Sequence, residues 1–263
     1  MTHPWRSYVA LGDSFTEGLE DHYPDGEPRG WADRLAQTLA DRCGEDVRYA
    51  NLAIRGRLLG PILAEQLEPA IALRPDLVSL VGGGNDLLRP SADPDVMAAD
   101  LDAAVTRLRK AGIDVLLGTG VDTRDAGLLS MTRKKTAVFN TNLFTIAQRQ
   151  GVHILNLWGL RSLHDWQVWA DDRLHLNDLG HERACQAALV GLGLPPDRPD
   201  WDEPLPPAAS RSRRERWESD VTWSRDHLLP WLGRRVRRTS SGASRVPKQP
   251  RYRVVAPAGA IAP

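Results

Sequence analysis

The chain has 263 residues, 41% of them apolar, with 34 Lys+Arg balanced by 34 Asp+Glu. That is an ordinary globular composition, long enough for one large domain or two small ones and for a sizeable core. Two cysteines, Cys43 and Cys185, exclude a disulfide framework and a Cys-rich metal site. No apolar stretch reaches the ~18 residues of a membrane-spanning helix.

The charge is unevenly spread. From Glu203 onward there are 13 Lys+Arg and 5 Asp+Glu, so the tail carries +8 and the preceding 202 residues carry −8. Met1 to Arg6 run straight into the first apolar strand and leave no room for a signal peptide. The expectation is a reduced, cytoplasmic, soluble protein.

In chain order, Val9-Ala10-Leu11 reads as a strand buried on both faces. Gly12 breaks it, and Asp13-Ser14 opens a polar turn closed by Gly18. Trp31, Leu35 and Leu39 recur at helical spacing until Gly44, a C-cap. Val47 to Leu52 alternates as a second strand and leads to a loop at Gly56. Leu59, Ile62, Leu63, Leu67, Ala70 and Ile71 line one face of a helix over 58–73, with Pro61 in its first turn. Leu77 to Val81 is the third strand and breaks into Gly82-Gly83-Gly84-Asn85-Asp86. Asp93 and Pro94 supply an N-cap and a proline at N1 for a helix to Ala111. Ile113 to Gly118 is the fourth strand, residues 131–150 a long helix ended by Gly151, and Val152 to Leu157 the fifth strand. After Asp171-Asp172-Arg173-Leu174-His175 comes an Ala/Leu helix from 177 or 178 to 192. Five such alternations predict a parallel sheet covered by helices on both faces.

A serine at the carboxyl end of a central strand lies where open α/β sheets place their ligands. Taken alone, Asp13-Ser14 is equally well a plain turn. The blocks around Ser14, Gly56, Asn85 and Asp172 to His175, in this order over roughly residues 5–195, resemble those of the GDSL, or SGNH, hydrolases. The resemblance implies a three-layer α/β/α sandwich with a five-stranded parallel, flavodoxin-like sheet. It also implies a serine esterase or deacylase working through an acyl-enzyme. In that reading Ser14 is the nucleophile, His175 the base and Asp172 the acid that orients the imidazole. The oxyanion hole is formed by the backbone N–H groups of Ser14 and Gly56 and the side-chain amide of Asn85. Asp171 competes with Asp172 for the orienting role, and the family spacing favours Asp172. Asp13 and Asp86 are read as loop-holding residues, and His153, His164 and His181 as structural or surface histidines.

No cofactor or metal is implied, and the substrate is a small acylated molecule. The short segments 19–30 and 120–130 lack a large apolar lid, which favours small esters over an interfacial lipase's substrates. A metal-dependent phosphohydrolase using Asp13, Asp86 and Asp172 is the competing enzyme, because magnesium sites favour carboxylates. No Lys or Arg, however, sits in the serine turn to grip phosphate, and the glycine-rich turn at 82–84, read as a phosphate-cradling loop, lacks the Lys-Ser/Thr of a phosphate loop and the spacing of a dinucleotide site. A non-enzymatic binding module is the third reading, disfavoured by the complete set Ser14, Gly56, Asn85 and His175.

The domain reading is a catalytic domain over 1–195, a Pro-rich connector over 196–210, a basic amphipathic helical segment over 211–238 and a loosely packed or disordered tail over 239–263. The basic segment is expected to dock on the acidic body or on a second copy, with an anionic membrane surface as the alternative. No recognisable nucleic-acid module accompanies the charge, so nucleic acid is not an expected partner.

Overall fold

Every residue of the first strand, β1 (Ser7–Gly12), is buried. Tyr8 and Ala10 enter one hydrophobic cluster and Val9 and Leu11 the other, as a pleated strand covered on both faces requires. The computed structural model describes residues 3–207, 223, 225, 242 and 244–259. Its sheet has the order β5-β4-β3-β1-β2-β6, with β2 (Val47–Asn51), β3 (Leu77–Val81), β4 (Asp114–Gly118), β5 (His153–Leu155) and β6 (Gln249–Val255). The first five strands are parallel and give the expected doubly wound order. β1 pairs on one side with β2, Val9 opposite Ala50, and on the other with β3, Val9 opposite Val78.

One layer holds α2 (Gly30–Cys43) and α7 (Asp178–Gly191), which pack Trp31, Leu35, Leu39, Ala184 and Leu189 against the first cluster. The other holds α3 (Leu59–Leu73), α5 (Pro94–Lys110) and α6 (Arg133–Gln150), which pack Ile62, Leu101 and Phe139 against the second. Their ends follow local chemistry. The Asp93 side chain accepts the backbone N–H groups of Asp95 and Val96 at the start of α5, and Gly44 and Gly151 close α2 and α6 in the left-handed conformation. Pro61 lies in the first turn of α3. The helix expected from residue 131 starts at Arg133, after a 3₁₀ turn over Gly127–Thr132. Two short turns, α1 (Ser14–Glu17) and α4 (Gly84–Leu87), follow directly on β1 and β3.

The sheet has a sixth strand beyond the five expected. β6 (Gln249–Val255) lies antiparallel to β2, Arg48 opposite Val254, within the stretch read as a loosely packed tail. Its composition hides it. An edge strand needs only one neighbour and tolerates proline and charge, and much of its packing comes from a cation. The Arg253 guanidinium lies 5.4 Å from the Tyr49 ring centroid and 5.7 Å from that of Tyr23. Tyr252 and Val255 add apolar contacts, one to each cluster.

Connector residues run across the body, Trp201 and Leu205 packing on the first cluster. Apart from Trp223 and Arg225, the basic segment 211–238 lies outside the described residues. Among the described residues, no helix is long and apolar enough to cross a membrane.

Candidate active site

β1 delivers Ser14 to the carboxyl edge of the sheet, beside the point where the chain winds from one face to the other. The turn depends on Gly12, where a Cβ would lie 2.5 Å from the Val81 carbonyl oxygen and 2.6 Å from Thr16 Oγ1. Gln66 of α3 grips the same glycine twice, accepting its N–H at 2.8 Å and donating to its carbonyl at 2.9 Å. Asp13 caps α1 by accepting the Phe15 N–H at 3.1 Å, leaving Ser14 as the first residue of that turn.

His175 Nε2 lies 2.9 Å from Ser14 Oγ, and His175 Nδ1 lies 2.5 Å from Asp172 Oδ2. The second Asp172 oxygen accepts the backbone N–H groups of Leu174 and His175, both at 2.9 Å. An i to i+3 pair thus closes a tight loop, with Arg173 in the left-handed region at φ 56°. The loop is pinned at its base by a Trp169–Leu176 bridge and by the bond from Ala170 N–H to the His175 carbonyl, 2.9 Å. Burial alone raises the Asp172 carboxyl, but the His175 ring, its charge and the two N–H groups outweigh it and hold the group below the ordinary carboxylate range. Asp171 points to solvent.

Asn85 follows β3 in α4. Its Nδ2 donates to the Arg57 carbonyl at 3.0 Å and to Asp13 Oδ2 at 3.2 Å. The Gly56 loop follows β2 and is held from α1, since Glu17 accepts the Arg55 N–H at 2.6 Å and the Arg55 Nε at 2.9 Å. Asp86 accepts the Leu59 N–H at 2.9 Å and so ties the loop after β3 to the start of α3. Burial pushes the Asp13 carboxyl up to about 6, against the opposing pull of the Phe15 N–H and the His175 charge. Burial raises Asp86 as well.

Two further residues of the site, Glu17 and Gln66, do not stand out in the sequence. Gln66 leaves a signal, a polar residue four positions after Ile62 on the apolar stripe of α3. Glu17 leaves none beyond its place beside Gly18.

A cavity of about 230 Å³ opens beside Ser14 and His175, with apolar walls that include Val81, Leu87, Val121, Phe139, Leu163 and Trp169. His181, His164 and His153 each face a partner in the protein. His181 Nδ1 accepts the Trp31 N–H at 3.2 Å, so Nε2–H donates to the Leu19 carbonyl at 2.9 Å, and burial lowers its pKa to about 4. His164 faces Asp125 at 3.5 Å, and His153 lies 3.3 Å from the Gly191 carbonyl. Asp13, Asp86 and Asp172 are engaged separately by Asn85, Leu59 and His175. Among the described residues, no three His, Cys, Asp or Glu side chains converge as metal ligands would.

This three-layer fold, with a bonded serine and histidine at the carboxyl edge of its sheet, is that of the SGNH-type carboxylic ester hydrolases. The profile of the GDSL-like Lipase/Acylhydrolase family matches residues 10–183, and the chain belongs to that family. Similar solved structures include TesA, with 24% identity over 71% of this chain and 97% of TesA, TM-score 0.59. The esterase EstA from Pseudoalteromonas sp., inhibited by monoethylphosphonate, shares 20% identity over 72% of this chain and 97% of its own, TM-score 0.57. A catalytic mutant of Axe2, an acetylxylan esterase from Geobacillus stearothermophilus, shares 19% identity over 80% of this chain and 99% of its own, TM-score 0.61. No curated protein sequence matches the chain.

Proposed function

We propose that the protein cleaves esters of small acyl groups through a covalent acyl-enzyme, with Ser14, His175 and Asp172 as its triad. The observation that carries this reading is the unbroken chain from Ser14 Oγ through His175 to Asp172, at 2.9 and 2.5 Å. His175 Nε2 takes the hydroxyl proton as Oγ attacks the acyl carbon. The Nδ1–H donated to Asp172 fixes the tautomer that leaves Nε2 free to do so. The negative charge on the former carbonyl oxygen is met by the N–H groups of Ser14 and Gly56 and the Asn85 amide. His175 then returns the proton to the departing alcohol. Water repeats the sequence on the ester of Ser14, releasing the acid and restoring the serine.

The cavity is smaller than the roughly 300–1,000 Å³ typical of drug-sized ligands. Its apolar walls support a short acyl chain, with the alcohol directed to solvent. Axe2 is an acetylxylan esterase, so acetylated xylan belongs among the esters to be tried. The reading is tested by incubating the protein with a p-nitrophenyl-activated phosphonate diester, whose p-nitrophenolate leaves as Ser14 Oγ bonds to phosphorus, and with EDTA. We expect phosphonylation confined to Ser14 with loss of esterase activity, and full activity after EDTA. Activity lost to EDTA and spared by the phosphonate overturns the serine mechanism in favour of carboxylate-bound metal.

A further inference from the structure

The family-matched region ends at residue 183, yet two later residues reach the site. Trp223 Nε1–H donates to the backbone carbonyl of Asp172 at 2.8 Å. The guanidinium of Arg173 lies over the same indole, 5.1 Å from the ring centroid. At the Gly56 loop, Gly242 packs directly on the Arg55 carbonyl. A Cβ there would lie 2.1 Å from that oxygen and 2.9 Å from Ile54 Cγ2.

Both contacts fall on peptide units that bear on the chemistry. The Asp172 carbonyl belongs to the peptide leading into Arg173, the left-handed residue around which the loop turns. The orientation of that peptide sets where the Asp172 carboxylate and His175 stand relative to each other. The carboxylate end of Asp172 is already held by Leu174, His175 and the imidazole. The N–H end of that peptide is held by the Ala170 carbonyl, which accepts from Arg173 at 2.9 Å, and Trp223 supplies the anchor at its carbonyl end. The Arg55 carbonyl belongs to the peptide whose other end is the Gly56 N–H, one of the oxyanion donors assigned above. Glu17 holds the N–H that precedes this unit, and Gly242 abuts its oxygen. A rotation that turned the Gly56 N–H away from the substrate would drive the oxygen against the Gly242 backbone or away from it.

We propose that two residues C-terminal to the family-matched region are working parts of the active site, Trp223 positioning the Asp172–His175 loop and Gly242 positioning the Arg55–Gly56 oxyanion peptide. Neither touches substrate, so both are positioning residues, and the assignment rests on the Ser14–His175–Asp172 reading. Preorganisation of this kind acts on the transition state rather than on ground-state binding. Its removal is read in kcat.

The test uses the full-length protein with Trp223→Phe, Trp223→Ala and Gly242→Ala, assayed on p-nitrophenyl acetate, with Ser14→Ala as control. Active sites are counted by fluorophosphonate titration, so that turnover is expressed per competent serine. Trp223→Phe keeps an aromatic face for Arg173 and removes the N–H with the pyrrole part of the ring. Gly242 carries no positive φ, so alanine there acts through the Cβ that meets the Arg55 carbonyl and Ile54. We expect kcat per titrated site to fall about tenfold in Trp223→Phe and further in Trp223→Ala, with KM changed less than about twofold. Gly242→Ala should show the same split. Wild-type kcat per site in Trp223→Phe and Gly242→Ala overturns the proposal, even if Trp223→Ala is unstable. So does a loss confined to the number of titratable sites, because that is folding and not positioning. Should Ser14→Ala itself stay active, the triad reading fails; should Ser14→Ala be dead and the other variants normal, only this inference fails.

Discussion

His175 and Asp172 are joined twice, ring nitrogen to carboxylate at 2.5 Å and backbone N–H to the other carboxylate oxygen at 2.9 Å. One side chain thus fixes both the tautomer of the imidazole and the turn that presents it to Ser14. Asp171, its immediate neighbour, faces solvent. Asp172→Asn keeps the shape of the carboxylate but presents an amide to Nδ1, favouring the tautomer in which Nε2 can no longer accept the serine proton. We expect kcat to fall by about 10⁴, the scale of the same change in other triads, while Asp171→Asn stays within about twofold of wild type. Steady-state kinetics at saturating ester separate the two. Equal small losses would mean that a Ser14–His175 dyad suffices.

Asn85 offers both of its amide hydrogens to protein oxygens, those of Arg57 and Asp13. The longer of the two bonds, 3.2 Å to Asp13, is the one an incoming oxyanion would displace, and the bond to Arg57 then keeps the amide aimed. Asn85→Ala should lower kcat by about 10²–10³ with a smaller change in KM, the range for one preorganised donor. An effect confined to KM would make Asn85 a substrate-binding residue.

How much of this is legible in the sequence varies with the kind of signal. The five parallel strands and their helices follow from continuous apolar runs and from caps such as Asp93 and Gly151, whose chemistry is local. Ser14, Gly56, Asn85, Asp172 and His175 stand in short blocks, and the fold brings Ser14, His175 and Asp172 into one bonded row. β6 escapes such a reading because an edge strand gains its ladder from one neighbour and its packing partly from Arg253, and neither leaves a hydropathy pattern. Gln66, Glu17 and Trp223 are invisible in their roles for another reason. Each acts on backbone groups more than 35 residues away in sequence, and only the tertiary fold creates those distances.

Asp13 ties stability to pH. Its carboxyl is buried and raised from 3.8 to about 6. Between those values the folded protein holds a proton that the unfolded chain has released, so this group's contribution falls as pH rises through the window. Asp13→Asn retains an acceptor for the Phe15 N–H and carries no charge. Its stability relative to wild type should therefore be higher at pH 7.5 than at pH 4, by on the order of 3 kcal/mol, since each tenfold change in proton affinity is worth about 1.36 kcal/mol. The difference between the two pH values is the quantity to read, because the altered contact with Asn85 shifts both alike. Urea unfolding at the two pH values measures it. A pH-independent difference would show that folding leaves the proton affinity of Asp13 unchanged.

Lys248, just ahead of β6, closes the sheet edge onto α2. Its ammonium donates to Asp33 Oδ2 at 2.7 Å and to the carbonyls of Pro28 and Arg29 at 2.8 and 3.0 Å. The side chains of Lys248 and Asp33 are only 10% and 3% exposed. Removing one partner of such a pair strands the other charge out of water, which costs far more than the pair itself contributes. Lys248→Met should destabilise the protein by about 3 kcal/mol, the low end of the usual range, since Arg253 still lies 3.4 Å from Asp33. Pairing it with Asp33→Asn, which removes the stranded charge, should recover most of the loss. Burial already raises the Asp33 carboxyl to about 6 despite Lys248, and losing the ammonium raises it further. Protonation below that value neutralises the stranded group, so the single variant should lose less stability at pH 4.5 than at pH 8. Chemical denaturation of the wild type and the single and double variants at both pH values provides the measurement. A Lys248→Met penalty that is the same at both pH values, or that Asp33→Asn leaves unrelieved, would mean that the amine acts through the Pro28 and Arg29 carbonyls and not through the ion pair.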